Sequence, residues 1–190
     1  MHALVLLCAL LAAPFWESKA PADWTAEELA EILHRSPWAR VATAEGFQRE
    51  AGVQTLLSSA LPMKLAEAES LRRRAMPVEA DEFRQYLAQE REKSIILTVS
   101  FPDPNQLADG KEAKRMEEEC VMKVGRKKYN LKGHFPPTPS DPYLRLVFPR
   151  AVTASDKLVQ FELYLPGVTP PYRIAEYVVK ELVYRGKLEL

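Results

Sequence analysis

Five side chains of the types that ligate metals or carry proton and thiol chemistry stand out: His2, His34, His134, Cys8 and Cys120. A bound metal needs such ligands at spacings that converge on one point, as H-x-x-x-H does on a helix face and C-x-x-C does in a turn. Neither spacing occurs, so no metal and no other cofactor is expected. His34 closes a helical stretch, where a cation suits the helix dipole. His134 has more company, lying in "KGHFPPTPSDP" with Asp141 and several hydroxyls. A carboxylate-oriented imidazole can take a proton from a hydroxyl nucleophile. One reading is therefore a hydrolase using His134 with a distant serine and acid.

Other routes to catalysis are poorly supplied. No G-x-S-x-G elbow is present, and Ser59 reads as the cap of a helix starting near Pro62. Cys120 follows Glu117, Glu118 and Glu119, whose charge disfavours the thiolate, so it reads as a buried structural thiol. The three glutamates read as a solvated run. No phosphate-binding or dinucleotide-binding glycine loop occurs. The expectation is a non-enzyme.

Binding chemistry has two sources. Lys127 and Lys128, with Tyr129 and Lys132, sit in "GRKKYNLKG", a basic hairpin that could grip phosphates. With Lys+Arg 26 against Asp+Glu 26, the chain has no net charge and no global field to recruit a polyanion. Nucleic acid is therefore not the expected partner, and the hairpin reads as a solvated tip. Trp24 and Trp38 frame one short helix, and either stack on a ligand or pack its ends onto the core.

Those residues must be positioned by elements. Thr25 and Glu28 form a capping box, with Trp24 and Leu29 at the positions of a hydrophobic staple. Leu29, Ile32 and Leu33 share a face, and Ser36-Pro37 ends the helix. "GVQTLLS" reads as a strand. "SALPMKLAEAESLRRRAM" follows as a helix with Leu61, Leu65, Ala68, Leu71 and Ala75 on one side. After Pro77, "EADEFRQYLAQERE" is a second helix, carrying Phe83 and Leu87. "KSIILTVSFP" is the clearest strand, with Ile95, Leu97, Val99 and Phe101 opposite Ile96, Thr98 and Ser100. Strand, two helices and strand would form a right-handed crossover if the strands are parallel neighbours.

The second half is β-rich. "ECVMKVGRKKYNLKG" predicts a hairpin turning at Gly125-Arg126, and "PYLRLVFP" and "KLVQFELYLPG" alternate as strands. "YRIAEYVVKELVYRGKLEL" supplies one or two more, and "GKLEL" is expected on a sheet edge where a partner strand can add. "FPPTPSDP" is a proline-stiffened connection within one sheet. The fold class is α+β: N-terminal helices packed on a mainly antiparallel sheet of about five to seven strands, in a single domain.

The N-terminal run Ala3 to Trp16 is apolar over about 14 residues, the length of a signal-peptide core and short of the roughly 20 needed to span a bilayer. Ala20-Pro21-Ala22 offers a small-residue exit. Residues 1–22 are thus read as a signal peptide and 23–190 as the mature domain, with no transmembrane span. Loss of Cys8 leaves one thiol and no internal disulfide.

Together "WTAEELAEILHRSPWA", "SSALPMKLAEAE", "LVFPR", "DKLVQFEL" and "VYRGKLEL" resemble a family of uncharacterised bacterial proteins described as exported or hypothetical. The likeness runs from Phe15 to Leu190, and it departs at Leu57, where a Trp is more usual. It implies export and no particular activity. The resulting expectation is an exported, envelope-associated, non-catalytic binding or structural module, its partner an envelope protein or surface component. Candidate binding residues are Trp24, Trp38, Lys127, Lys128 and His134. The alternatives are a small-molecule or lipid carrier with an apolar pocket and the His134 hydrolase.

Overall fold

The computed structural model describes residues 13–44, 52–74, 82–90, 92–100, 107, 109–138 and 142–190. The apolar run up to residue 12, Ala75, Pro77, Phe101, Asp141 and the side chain of Leu87 lie outside the described residues.

The first elements are a single helical turn, α1 (Phe15–Ser18), a 3-10 turn at Pro21–Asp23, and α2 (Ala26–Arg35). The capping box forms as read: Thr25 Oγ1 accepts from Glu28 N at 3.1 Å and Glu28 Oε2 accepts from Thr25 N at 2.9 Å. Trp24 and Leu29 are both buried in the main core, as a staple requires. Next come strands β1 (Ala39–Ala42) and β2 (Val53–Leu57), helices α3 (Leu61–Arg73) and α4 (Glu82–Glu90), and strand β3 (Ser94–Ser100). Helix α5 (Gly110–Glu119) is followed by β4 (Val121–Val124), β5 (Lys127–Asn130), β6 (Gly133–Phe135), β7 (Tyr143–Pro149), β8 (Leu158–Tyr164) and β9 (Tyr172–Val178). A short hairpin, β10 (Val183–Tyr184) and β11 (Lys187–Leu188), closes the series.

The architecture is α+β with antiparallel pairing throughout the described strands. The strands form two main sheets rather than one, ordered β1-β2-β3-β7-β6 and β5-β4-β8-β9. Thr43 and Ile174 exchange backbone hydrogen bonds of 3.0 and 2.8 Å where β1 meets β9. Phe148 of β7 meets Phe161 of β8 at 5.2 Å, and Phe161 meets Tyr177 of β9 at 5.8 Å, so one apolar core lies between the sheets. Thr55 Oγ1 and the Tyr177 hydroxyl, 2.8 Å apart, add a buried polar tie between them.

Several expectations need correction. Strands β2 and β3 are neighbours but antiparallel, so the two-helix connection is not a parallel crossover. The buried stripe of α3 is Pro62, Met63, Ala66 and Glu69, while Ala68 is exposed and Leu61, Leu65 and Leu71 are half-buried. Ser59 does not cap α3; its hydroxyl accepts from Ile96 N at 2.9 Å. The cap comes from the other end of the chain, where Glu189 Oε2 accepts from Leu61 N at 2.9 Å. Within "GKLEL", Lys187 and Leu188 form β11, one edge of a two-stranded hairpin, while Glu189 and Leu190 beyond it are buried. Phe15 and Trp16, which lie within the stretch read as a leader, are partly buried and pack on the main core.

Candidate binding groove

The sequence-predicted residues are not brought together. Trp24 and Trp38 are 2% and 0% exposed, so neither ring reaches solvent. Trp38 Nε1 donates to Glu189 O at 2.9 Å, and its ring meets Trp16 at 6.1 Å and Tyr184 at 6.4 Å, edge to face. Lys127 and Lys128 are exposed on β5, an edge strand. Gly125, with φ 57°, makes the turn that precedes them. Lys127 lines a shallow cleft of about 310 Å³ with Arg126, Tyr129, Thr153 and Asp156. The Thr153 backbone N–H and hydroxyl both donate to Asp156, and with Lys127 nearby they hold its carboxyl below the usual range. The anionic side of this cleft is thus already supplied by the protein.

His134 lies on β6, with Nδ1 3.0 Å from Glu117 Oε1. The imidazole has an orienting carboxylate, but no hydroxyl is hydrogen-bonded to it among the described residues. The acidic run is not simply solvated. Glu117 meets His134, and Glu119 accepts from Arg115 Nε and the Tyr172 hydroxyl, both at 2.7 Å. Cys120 is buried, and burial pushes its thiol up to about 12, which makes it inert at neutral pH.

A larger feature was not read from the sequence. Pro21, Leu61, Leu65 and Leu188 provide apolar walls of an open groove of about 670 Å³, with Glu92, Arg150, Arg185, Lys187 and Glu189 as its charged groups. The β10–β11 hairpin shapes one side. Its two-residue turn, Arg185-Gly186, has φ of 49° and 76°, the left-handed pair that a type I′ turn requires. Holding a non-glycine residue there costs about 1 kcal/mol. The Glu17 carboxylate offsets that cost by accepting from Arg185 N, at 2.8 and 3.1 Å. The guanidinium of Arg185 lies 5.1 Å from the Tyr184 ring centre. Burial pushes the Tyr184 phenol up, against the pull of Arg185 and with the carboxylates of Glu17 and Glu189 adding to the rise. The Tyr184 hydroxyl is buried and has no hydrogen-bond partner in good geometry among the described residues.

The opposite wall is equally fixed. Glu189 caps α3, and Arg150 Nη1 donates to Leu190 O at 2.9 Å. Arg185 and Lys187 are exposed at the rim and form no ion pair among the described residues. The groove therefore offers two exposed cations beside its apolar walls, a combination suited to an anionic group with apolar flanks. Its residues come from five separate parts of the chain, so no local spacing advertises them. The only sequence signal is the Arg-Gly pair between "VY" and "KL", which marks a hairpin turn.

No protein family, curated protein or solved structure matches this chain.

Proposed function

We propose that this chain is an exported, envelope-associated, non-catalytic binding module, and that the groove receives an acidic, partly apolar segment of an envelope protein. Export is supported by the apolar N-terminal run and by the resemblance to exported bacterial proteins. The observation that carries the binding part is the groove itself. Arg185 and Lys187 line it together with Leu61, Leu65 and Leu188, and neither forms an ion pair among the described residues. Charge at the rim selects and steers, and the apolar walls supply most of the affinity.

Carbodiimide cross-linking in envelope fractions of native cells tests this, because it joins a lysine amine directly to a neighbouring carboxylate. The expected result is a discrete adduct at Lys187 that disappears with Lys187→Glu and weakens at least tenfold with Arg185→Glu, at unchanged melting temperature. An unaltered adduct in both variants, or a chain found in the cytosol without one, would sink the proposal.

A carrier of a small amphiphile is the second reading. It is favoured by the groove's volume, about 670 Å³, within the range of small-ligand sites. Native mass spectra of the purified protein would then retain an added small-molecule mass.

A further inference from the structure

We infer that Phe15, Trp16 and Glu17 are a permanent strap of the mature protein, and that the leader is cut before Phe15 rather than at Ala20-Pro21-Ala22. The inference rests on the export reading above, which is what brings a leader-processing step. It assigns the processing site and the part of the N-terminus that completes the groove.

The strap is built into the fold at both ends. Phe15 stands 5.9 Å from Trp24, and Trp16 stands 6.1 Å from Trp38, both edge to face. Phe15 and Trp16 also meet each other at 4.9 Å. These rings lie over two tryptophans that have almost no solvent exposure. Glu17 carries the second anchor, the pair of hydrogen bonds to Arg185 N that secures the strained turn. The linker that follows is also held, since Lys19 Nζ bonds Glu28 Oε1 at 2.5 Å and Pro21 forms a wall of the groove.

A cut after Ala22 would undo all of this in one step. It would strip two aromatic rings from Trp24 and Trp38 and leave an apolar surface of the kind that soluble chains keep covered. It would take the acceptor from Arg185 N–H and open one side of the groove. A cut at or before Ala13 costs none of these contacts. Ala12 and Ala13 are the last small residues before the strap, near the end of the apolar run. The chemistry is hydrolysis of one peptide bond by a signal peptidase. The hydroxyl of water goes to the carbonyl carbon before the cut, and the proton goes to the new α-amine.

Intact-mass measurement with N-terminal peptide mapping, on chain recovered from fractionated native cells, decides the matter. A shortened chain whose N-terminus lies at or before Phe15, in the exported or envelope fraction, is the expected result. A chain starting at Asp23 would overturn the inference while leaving export standing. An uncut chain in the cytosol would overturn both. A second measurement tests the strap in the full chain. Trp16→Ala should raise acrylamide quenching of the two remaining tryptophans severalfold at retained secondary structure. Quenching as low as in the native chain would show that the strap covers nothing.

Discussion

Glu69 is an acid on the buried stripe of α3, only 5% exposed. Arg72 approaches it with Nε and Nη2, both at 2.7 Å, and Arg73 Nε donates at 2.6 Å. These hydrogen bonds, Arg72 first and then Arg73, hold the Glu69 carboxyl down to about 2. A depressed carboxylate stabilises the folded state above its ordinary titration range, and that contribution is lost as the pH falls through the folded value. Glu69→Gln should therefore melt lower than the native chain at neutral pH, with the gap closing between about pH 4.5 and pH 2. A gap that stays constant over that range would show that the arginines do not act through the Glu69 charge. Arg72 is itself mostly exposed, yet its guanidinium, like that of Arg73, is engaged by the buried Glu69. Arg73 also donates to Trp24 O, tying α3 to the segment before α2. Composition counts charges without revealing which carboxylate each one meets.

Among the helices, local chemistry was legible where two capping partners within one turn accompany an apolar stripe. The capping box of α2 is such a case, and it forms as its residues imply. Helix α3 is the opposite case, because its cap is 128 residues away in sequence. No window around Ala60 holds that information, so Ser59, the nearest hydroxyl, drew the assignment instead. Removing an N-cap acceptor costs about 1 kcal/mol. Glu189→Ala should destabilise the protein by about that amount in urea unfolding, whereas Ser59→Ala should cost stability through the β3 backbone without altering helix content. Equal loss of helix in both variants would contradict this division of roles. Helix α5 escaped notice for a different reason. It buries only Met116, so the apolar period that betrays a helix is missing. Its signals were the Asp109 cap, which accepts from Lys111 N at 2.9 Å, and the i,i+4 pairing of Arg115 with Glu119. Strand β7 shows the same limit: its alternation was read correctly, yet Leu144 to Phe148 are buried on both faces. Arg145, over the Phe83 ring at 3.9 Å and donating to Thr98 Oγ1 at 2.9 Å, is covered by α4.

At the scale of the whole molecule, the α+β class followed from alternation and capping, but the division into two sheets did not. Period-two patterns tell which face of a strand is buried and not which strand lies beside it. The same gap hid the groove, where Pro21 and the β10–β11 hairpin meet α3, Glu92 and Arg150. Trp38 joins the two ends of the chain, with its ring between Trp16 and Tyr184 and its N–H on Glu189 O. Trp38→Ala should lower unfolding free energy by roughly 3–5 kcal/mol, as loss of a fully buried large aromatic does. An unchanged denaturation midpoint would mean that the ends are held together by something else. The two tryptophans that frame α2 are thus explained by architecture, and the candidate site lies in the charged residues beside them.

The long reach of Glu189 also has a consequence in time. Leu61 leaves the ribosome 128 residues before the carboxylate that completes its helix has been made, and Trp38 waits still longer for its carbonyl acceptor, 151 residues downstream. Contacts this distant in sequence form late and make folding slow. The nascent chain therefore stays incompletely folded through most of its own synthesis. On the export proposed above, such a delay would be an advantage, because the fold could close after the chain crosses a translocation channel rather than before.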